Sequence, residues 1–491
     1  MPQKKRGRLS AARAAALALT ADVRRTNARV KDRARMAPYL QELSAQDKGF
    51  AMRLATGTLA CKGVLDTAVS HHLTKGMHLE PQVHDALRLA AFELIYLSTP
   101  AAAAVNQGVE GVRRVAPRAA GMANAVLRRI AECERPERVQ AQATICALAG
   151  NNLAQDLAPQ DLGEKISLAA GLPCWLAAEL ISNLGVQGAC RYASELLEPA
   201  PVYVFLPGFV TDADTTLEQL KESGCEPCAV LDGDTYLLKR PGALYSCGLV
   251  QQGLCVPADL AAQLVAYIAA ADPDEHMLEI GQGRGTKSLL MEAIAERSGG
   301  RILVDGIDSE PFKVKVSHER MSVVGLSHEV TSRVLDARKL AGSTPCEGIE
   351  ERYNKVFVDA PCSGTGTLRR HPEIAWSLQQ EACTTPRGTL CQLQKEILAA
   401  AATRVEVGGE LVYSTCSFLS QENEQQIEAF LATQMGAHFD RMAPSDAVAL
   451  QHNVCETRAY ISRHERDGYF LSTPGAYMSD IHFAARLVRV R

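Results

Sequence analysis

Two thiols and one acid have the types and spacing for covalent chemistry. Cys362 stands in Asp359-Ala-Pro-Cys362 and Cys416 in Ser414-Thr-Cys416. Each follows a short apolar run, Val356-Phe-Val358 and Leu411-Val-Tyr413, of the kind that forms strands. A cysteine at a strand end can hold a metal, pack as a small buried residue, or attack carbon as a thiolate. A structural zinc site asks for four ligands. These loops offer two thiols and only His371 nearby, so no metal is expected here. Cys225-Glu-Pro-Cys228 lacks a second pair and reads as structural. A nucleophilic thiol starts from a pKa near ~8.5 and needs a positive or polar setting to ionise. Asp359 adds a carboxyl group that can hold or deliver a proton. Either thiol alone is as well explained by packing.

A glycine loop changes the balance. Glu279-Ile-Gly-Gln-Gly-Arg-Gly285 follows the apolar run Met277-Leu-Glu-Ile280 and precedes a helical stretch from Ser288 to Glu296. Alternate glycines let the backbone turn tightly and approach a ligand, and the next helix offers its free N–H groups to an anionic portion of it. The acidic-x-Gly-x-Gly-x-Gly form is that of S-adenosylmethionine-dependent methyltransferases, whereas a dinucleotide fold more often shows Gly-x-Gly-x-x-Gly. Asp308 closes the next strand and is placed to accept from ribose hydroxyls. Asp336 follows a further strand candidate and can face an adenine amino group. Either acid alone reads equally as a cap or turn residue.

With a methyl donor in place, the two thiols admit one specific chemistry. Carbon 5 of cytosine is a poor nucleophile. A thiolate that adds at carbon 6 makes carbon 5 electron-rich enough to attack a methyl sulfonium, splitting one hard step into easier ones. An acid facing N3 of the base stabilises the adduct.

The elements that must position these groups are legible in outline. The 491 residues suggest several domains, 47% hydrophobic content suffices for their cores, and the formal net charge of −4 announces no overall affinity for nucleic acid. The first thirty-five residues are strongly basic, from Lys4 to Arg35, and read as a phosphate-contacting arm or a solubilising tail. The 15 irregularly spaced cysteines suit a reducing cytoplasm. No apolar run is long enough to cross a bilayer, so no membrane partner is expected. Residues 1–140 read as helical, and 140–160 as a polar linker. Residues 165–275 mix a helix at 172–181 with strands at 202–206 and 235–239, a small α+β module. From 276 to 491, strand candidates at 277–280, 301–304, 355–358 and 410–413 alternate with helices such as 393–405. That alternation predicts a parallel sheet covered on both faces, with its ligand at the carboxyl ends of the strands.

Taken together, Asp359-Ala-Pro-Cys-Ser-Gly-Thr-Gly366, Arg369-Arg-His-Pro-Glu-Ile-Ala-Trp376, Gln392-Leu-Gln-Lys-Glu-Ile-Leu398 and Tyr413-Ser-Thr-Cys-Ser417 with Glu422-Asn-Glu424 closely resemble the RsmB/Sun (Fmu) branch of RNA cytosine-5 methyltransferases. Asp47-Lys-Gly-Phe-Ala51, Arg88-Leu-Ala-Ala-Phe-Glu-Leu94 and Asn124-Ala-Val-Leu-Arg-Arg129 resemble the NusB-type RNA-binding domain of that branch. The resemblance spans nearly the whole chain. It implies an all-α NusB-like domain joined by the small module to a Rossmann-like α/β methyltransferase domain. It further implies S-adenosylmethionine as cofactor, and 16S ribosomal RNA or a small-subunit assembly intermediate as substrate. By resemblance, Cys416 is the nucleophile, Cys362 assists release and Asp359 contacts the base near the methyl donor. Gly281, Gln282, Gly283, Arg284, Gly285, Thr286 and Lys287 wrap the methionine end of the cofactor, and Asp308 and Asp336 take the ribose and adenine. His371, Arg369 and Arg370 line the RNA path, or the two arginines form surface ion pairs. Two departures stand out. The branch's Cys-Ala-Ala-Pro-Gly-Gly-Lys loop is here Gly281-Gln-Gly-Arg-Gly-Thr-Lys287, and its Asp-Gly-Phe-Phe is Asp480-Ile-His-Phe483. The rival readings are a catalytically weak RNA-binding assembly factor and a transfer-RNA cytosine-5 methyltransferase.

Overall fold

The computed structural model describes residues 8–26, 28, 30–150, 158–232, 234–342, 346–451, 454–475 and 477–491. The chain forms two compact units. One comprises Met1–Glu198 with Leu368–Leu378, and the other Pro199–Thr367 with Gln379–Arg491.

The first unit is helical. Its opening helix, Ala11–Thr26, buries Ala12, Ala16, Leu19 and Val23, spaced to line one helix face. The basic stretch expected as an arm is therefore largely a packed helix. Arg13 pairs with Glu93, and Arg24 Nε lies 2.7 Å from Asp85 Oδ2, so burial of the apolar face brings both guanidiniums onto acids of the helix Pro81–Tyr96. Lys4, Lys5, Arg6 and Arg29 lie outside the described residues. The expected linker also differs. Glu134–Gly150 is a helix burying Ala141, Ile145 and Leu148, and 151–157 lie outside the described residues. Polar, alanine-rich sequence lacks a strong stripe, yet its intrinsic helix propensity is high. Helices Pro159–Ala170 and Cys174–Glu195 pack with it, the second bent at Gly185.

The second unit holds two sheets. β1 (Val202–Phe205), β2 (Pro227–Val230), β3 (Thr235–Leu238) and β4 (Val256–Pro257) form a small antiparallel sheet in the order β2-β3-β1-β4. The large sheet is built from β5 (His276–Ile280), β6 (Leu303–Asp308), β7 (Val330–Val334), β8 (Tyr353–Asp359), β9 (Val405–Thr415), β10 (Phe439–Met442), β11 (Glu465–Arg466), β12 (Tyr469–Leu471) and β13 (Phe483–Arg489). Its order is β11-β12-β13-β9-β8-β5-β6-β7, with β10 also on β13. The run from β9 through β8, β5 and β6 to β7 is parallel, as the alternation predicted. β13 returns antiparallel to β9 with Phe483 opposite Thr415, so the departure at 480–483 leaves that pairing in place. Leu278, Ile280, Val356 and Val358 pack on one face against Ile397 and Leu398 of the helix Thr389–Ala402. Met277, Val304 and Phe357 pack on the other against Leu289 and Leu290 of the helix Thr286–Arg297. β5 sits between β6 and β8, so the winding reverses there and opens a crevice at the carboxyl ends of those strands. All the site residues expected from the sequence except Asp336 sit at or just beyond the carboxyl ends of β5, β6, β8 and β9.

Candidate active site

The glycine loop leaves β5 and docks on the end of β6. The N–H groups of Gly281 and Gln282 both donate to Ile307 O, at 2.9 and 3.0 Å. Gly281, Gly283 and Gly285 all take left-handed φ values, +79°, +62° and +70°, which favour glycine. A Cβ on Gly281 would lie 2.3 Å from Asp359 O, so the loop packs directly on the turn that carries the acid. Gly283, by contrast, faces no atom closer than its own loop and presents bare backbone to the crevice. Gly283 N donates to Asp308 Oδ2 at 3.0 Å, while Asp308 Oδ1 accepts from Glu310 N at 2.9 Å. Arg320 ties the far side, donating to Arg284 O at 2.9 Å and Thr286 Oγ1 at 2.8 Å. The Arg284 guanidinium lies over the exposed ring of Phe312.

Gln282 turns inward. Its amide donates to Ser288 Oγ at 3.1 Å and Thr331 O at 3.3 Å, and it fills the space a Cβ on Gly306 would need. Beneath it, burial pushes the Glu279 carboxyl up to about 8, against the opposing pull of the Ser288 hydroxyl and Lys287. Asp336 caps the short turn Ala337–Ala341, and its carboxylate grips the Arg338 guanidinium at 2.7 Å, which with a backbone N–H holds it below the usual carboxylate range.

The structure brings Lys287, Asp359, Cys362 and Cys416 together. Lys287 Nζ lies 2.6 Å from Asp359 Oδ2, and Ser414 Oγ donates to Asp359 Oδ1 at 3.3 Å. Burial alone would lower the Lys287 ammonium, but Asp359 and then Cys416 outweigh it and the net shift is upward. Cys362 Sγ and Cys416 Sγ are 3.3 Å apart, and Cys416 N donates to Cys362 Sγ at 3.4 Å. The hydrogen bond to Cys416, then burial and the nearby Glu422, raise Cys362 well above the ordinary thiol range. Cys362 therefore stays protonated and can donate its S–H to Cys416.

A buried layer that sequence reasoning gave no role fixes the two thiol loops. Glu422 accepts from Ser363 N at 2.8 Å and from Gln394 Nε2 at 3.0 Å, and Gln394 also donates to Pro361 O at 2.9 Å. Asn423 Nδ2 donates to Ser417 O at 2.9 Å. Gly366 N donates to Cys416 O, and Ile481 N to Gly366 O, at 2.9 and 3.0 Å. Gln394 carried a signal, a polar residue among the apolar positions Cys391, Ile397 and Leu398 of the helix Thr389–Ala402, whereas Glu422 stands in the polar run Ser420-Gln-Glu-Asn-Glu424 and carried none. Arg369 is held within the helical unit, donating to Glu198 O at 3.1 Å with Glu195 3.7 Å away. His371 lies 3.9 Å from Glu373.

Comparison with known proteins agrees with this geometry. Residues 266–473 match the family described as 16S rRNA methyltransferase RsmB/F, and residues 10–132 match the NusB family. The probable ribosomal RNA small subunit methyltransferase B of Bacillus subtilis is 29% identical over 397 residues, 79% of this chain and 81% of that one. The ribosomal RNA small subunit methyltransferase B of Escherichia coli is 26% identical over 458 residues, 92% and 93% of the two chains. Among solved structures, PH0851 superposes with a TM-score of 0.73 at 18% identity, covering 99% of this chain and 100% of its own. NSun6 from Pyrococcus horikoshii, solved with SFG, gives 0.51 at 15% identity, covering 65% and 98%. Fold and site thus define an S-adenosylmethionine-dependent methyltransferase that carries a helical NusB-family domain. Within that class, it is the RsmB/F methyltransferase family that residues 266–473 match. The glycine cradle fits the cofactor: its backbone is bare at Gly283, a helix N-terminus follows at Thr286, and Asp308 is held beside it.

Proposed function

We propose that this protein methylates carbon 5 of one cytosine in 16S ribosomal RNA through a transient bond from Cys416 to carbon 6. The observation that carries the reading is the pair of sulfurs 3.3 Å apart beside the Lys287–Asp359 ion pair. S-adenosylmethionine supplies the electrophilic methyl group. Residues 281–287 hold its methionine end, largely through backbone, since Gln282 turns its side chain inward. Asp308 takes the ribose. Asp336 takes the adenine end, for which its carboxylate must share or leave Arg338. Cys416, as thiolate, adds to carbon 6, and the electron pair displaced toward carbon 5 forms the new bond to methyl. Asp359 bonds the base at N3 while Lys287 keeps it oriented. A water then takes the proton from carbon 5, its electron pair restores the ring double bond and expels Cys416 as thiolate, and Cys362, the sulfur nearest Cys416, assists that departure by donating its S–H to the leaving sulfur.

The ribosomal substrate rests on the names of the bacterial relatives and on the NusB-family domain. Bisulfite mapping of ribosomal RNA from cells with and without this protein tests it. One cytosine of the small-subunit RNA should lose its mark when the protein is absent. Unchanged ribosomal maps would defeat the assignment, and a mark lost from a transfer RNA instead would establish the rival substrate.

A further inference from the structure

Away from the thiol pair, three helix ends of the helical unit meet at a second cluster of metal-ligating groups. His71 ends the helix Lys62–His71, and His72 caps it. Cys133 caps the helix Ala120–Glu132, and Glu134 begins the helix Glu134–Gly150. His72 Nε2 lies 2.8 and 3.0 Å from the two oxygens of Glu134. The Cys133 thiol completes a set in which ligand atoms of His72, Cys133 and Glu134 all lie within 4.8 Å of one another. His71 Nδ1 stands 3.9 Å from Glu134 Oε1 and can supply a fourth donor.

We propose that His72, Cys133 and Glu134, with His71 or a water as fourth ligand, bind a divalent ion of the zinc class. Metal–ligand bonds of ~2.0–2.3 Å place tetrahedral donors roughly 3.3–3.8 Å apart, so side-chain rotations of small size convert the present spacing into a coordination shell. The donor set is the borderline N, S and O mixture that suits zinc and excludes the hard oxygen-only cations. The charges also close. On binding, the Cys133 thiol loses its proton to solvent, and one thiolate with one carboxylate neutralises the ion between neutral imidazoles. Glu134 and His72 are mostly buried, so an ion there would staple the two helix junctions of the unit. Bridging ligands from positions 72 and 133 have no sequence spacing that announces a site. The sequence expectation of no metal concerned the thiol loops and leaves these residues untouched.

Co2+ alone, added to the full-length reduced protein, is the probe. Tetrahedral cobalt gives visible d–d bands, and a thiolate ligand adds a near-ultraviolet charge-transfer band. We expect both, at about one ion per chain in this site, bleached by equimolar Zn2+. Cys133 is exposed, so Cys133→Ser folds normally and should lose the part of the charge-transfer band that this site contributes. His72→Ala should weaken binding by more than the ~10–100-fold that loss of a supporting partner costs. Wild-type spectra without these bands would show that His72 and Glu134 form an ion pair only, and would overturn the proposal. So would a Cys133→Ser spectrum identical to wild type, which would assign the ion to other thiols.

Discussion

At the scale of single residues, the two sulfurs are distinguished by their surroundings rather than by their type. Cys362 is held as a thiol by its bond to Cys416 and by burial, while Cys416 lies within range of the Lys287 ammonium. If Cys416 is the attacking sulfur and Cys362 the releasing one, Cys362→Ala should accumulate a protein–RNA adduct that survives denaturing gel electrophoresis. Cys416→Ala should form none, and the reverse pattern would exchange the two roles. Glu279 offers a second test at this scale. Its carboxyl titrates at about 8 in the fold against an ordinary 4.5, so between those values the native state holds a proton that the unfolded chain has lost. Stability of the catalytic unit therefore falls as pH rises through that window and levels off above it, with a limiting slope of about 1.4 kcal/mol per pH unit. Glu279→Gln keeps the neutral shape and should flatten the dependence of the calorimetric Tm on pH. A wild-type Tm that rises with pH from 5 to 8, by a margin the variant lacks, would refute the buried neutral carboxyl.

At the scale of elements, the site depends on four strand ends, those of β5, β6, β8 and β9, held in mutual register by backbone contacts. Gly366 is the tightest of them. A Cβ there would lie 2.0 Å from Ile481 O and 2.9 Å from Cys416 O, both backbone atoms that cannot swing away. Gly366→Ala should thus displace the Cys416 loop and cut methyl transfer by roughly 100-fold or more, the scale of a 1 Å misplacement. Binding of the methyl donor, measured by calorimetry, should stay within a few-fold, because the glycine loop lies on a different strand. Equal loss of both would mean that the unit had unfolded instead. Much of this layer was legible in the sequence, for a physical reason. The short continuous apolar runs and the glycine loop are local signals, so they placed β5, β6, β8 and β9 and the loops after them. The hydrogen bonds of Glu422 and Gln394 were not legible, because they join positions about thirty to sixty residues apart and depend on burial that no local pattern encodes. Nor was the inward turn of Gln282, which requires the missing side chain of Gly306 on a neighbouring strand.

At the scale of the whole molecule, the chain passes between its compact units three times, at 198/199, 367/368 and 378/379. The motif Arg369-Arg-His-Pro-Glu-Ile-Ala-Trp376 was read as part of the catalytic sequence, yet it packs within the helical unit. No local pattern announces that an eleven-residue excursion will change partners. Trp376 shows what holds it. The indole N–H lies 2.7 Å from Ala60 O and 2.9 Å from Gly171 O, and the ring occupies the space where a Cβ on Gly63 would stand, 1.9 Å from its nearest atom. Gly63 lies in the helix Lys62–His71, where alanine would otherwise be the better helix former by roughly 0.5–1 kcal/mol. The two residues should therefore be coupled with a change of sign. Trp376→Ala removes a partly buried aromatic and should destabilise the helical unit by about 2–4 kcal/mol. Gly63→Ala in the wild-type chain should also destabilise, since the indole must leave its seat. In the Trp376→Ala background the same Gly63→Ala change no longer meets the indole and should raise stability by up to ~1 kcal/mol through helix propensity. Thermal unfolding of the four full-length proteins completes the cycle. Additive losses would mean that the indole does not sit on Gly63 in solution, and that the excursion is anchored by Arg369 and its neighbours instead.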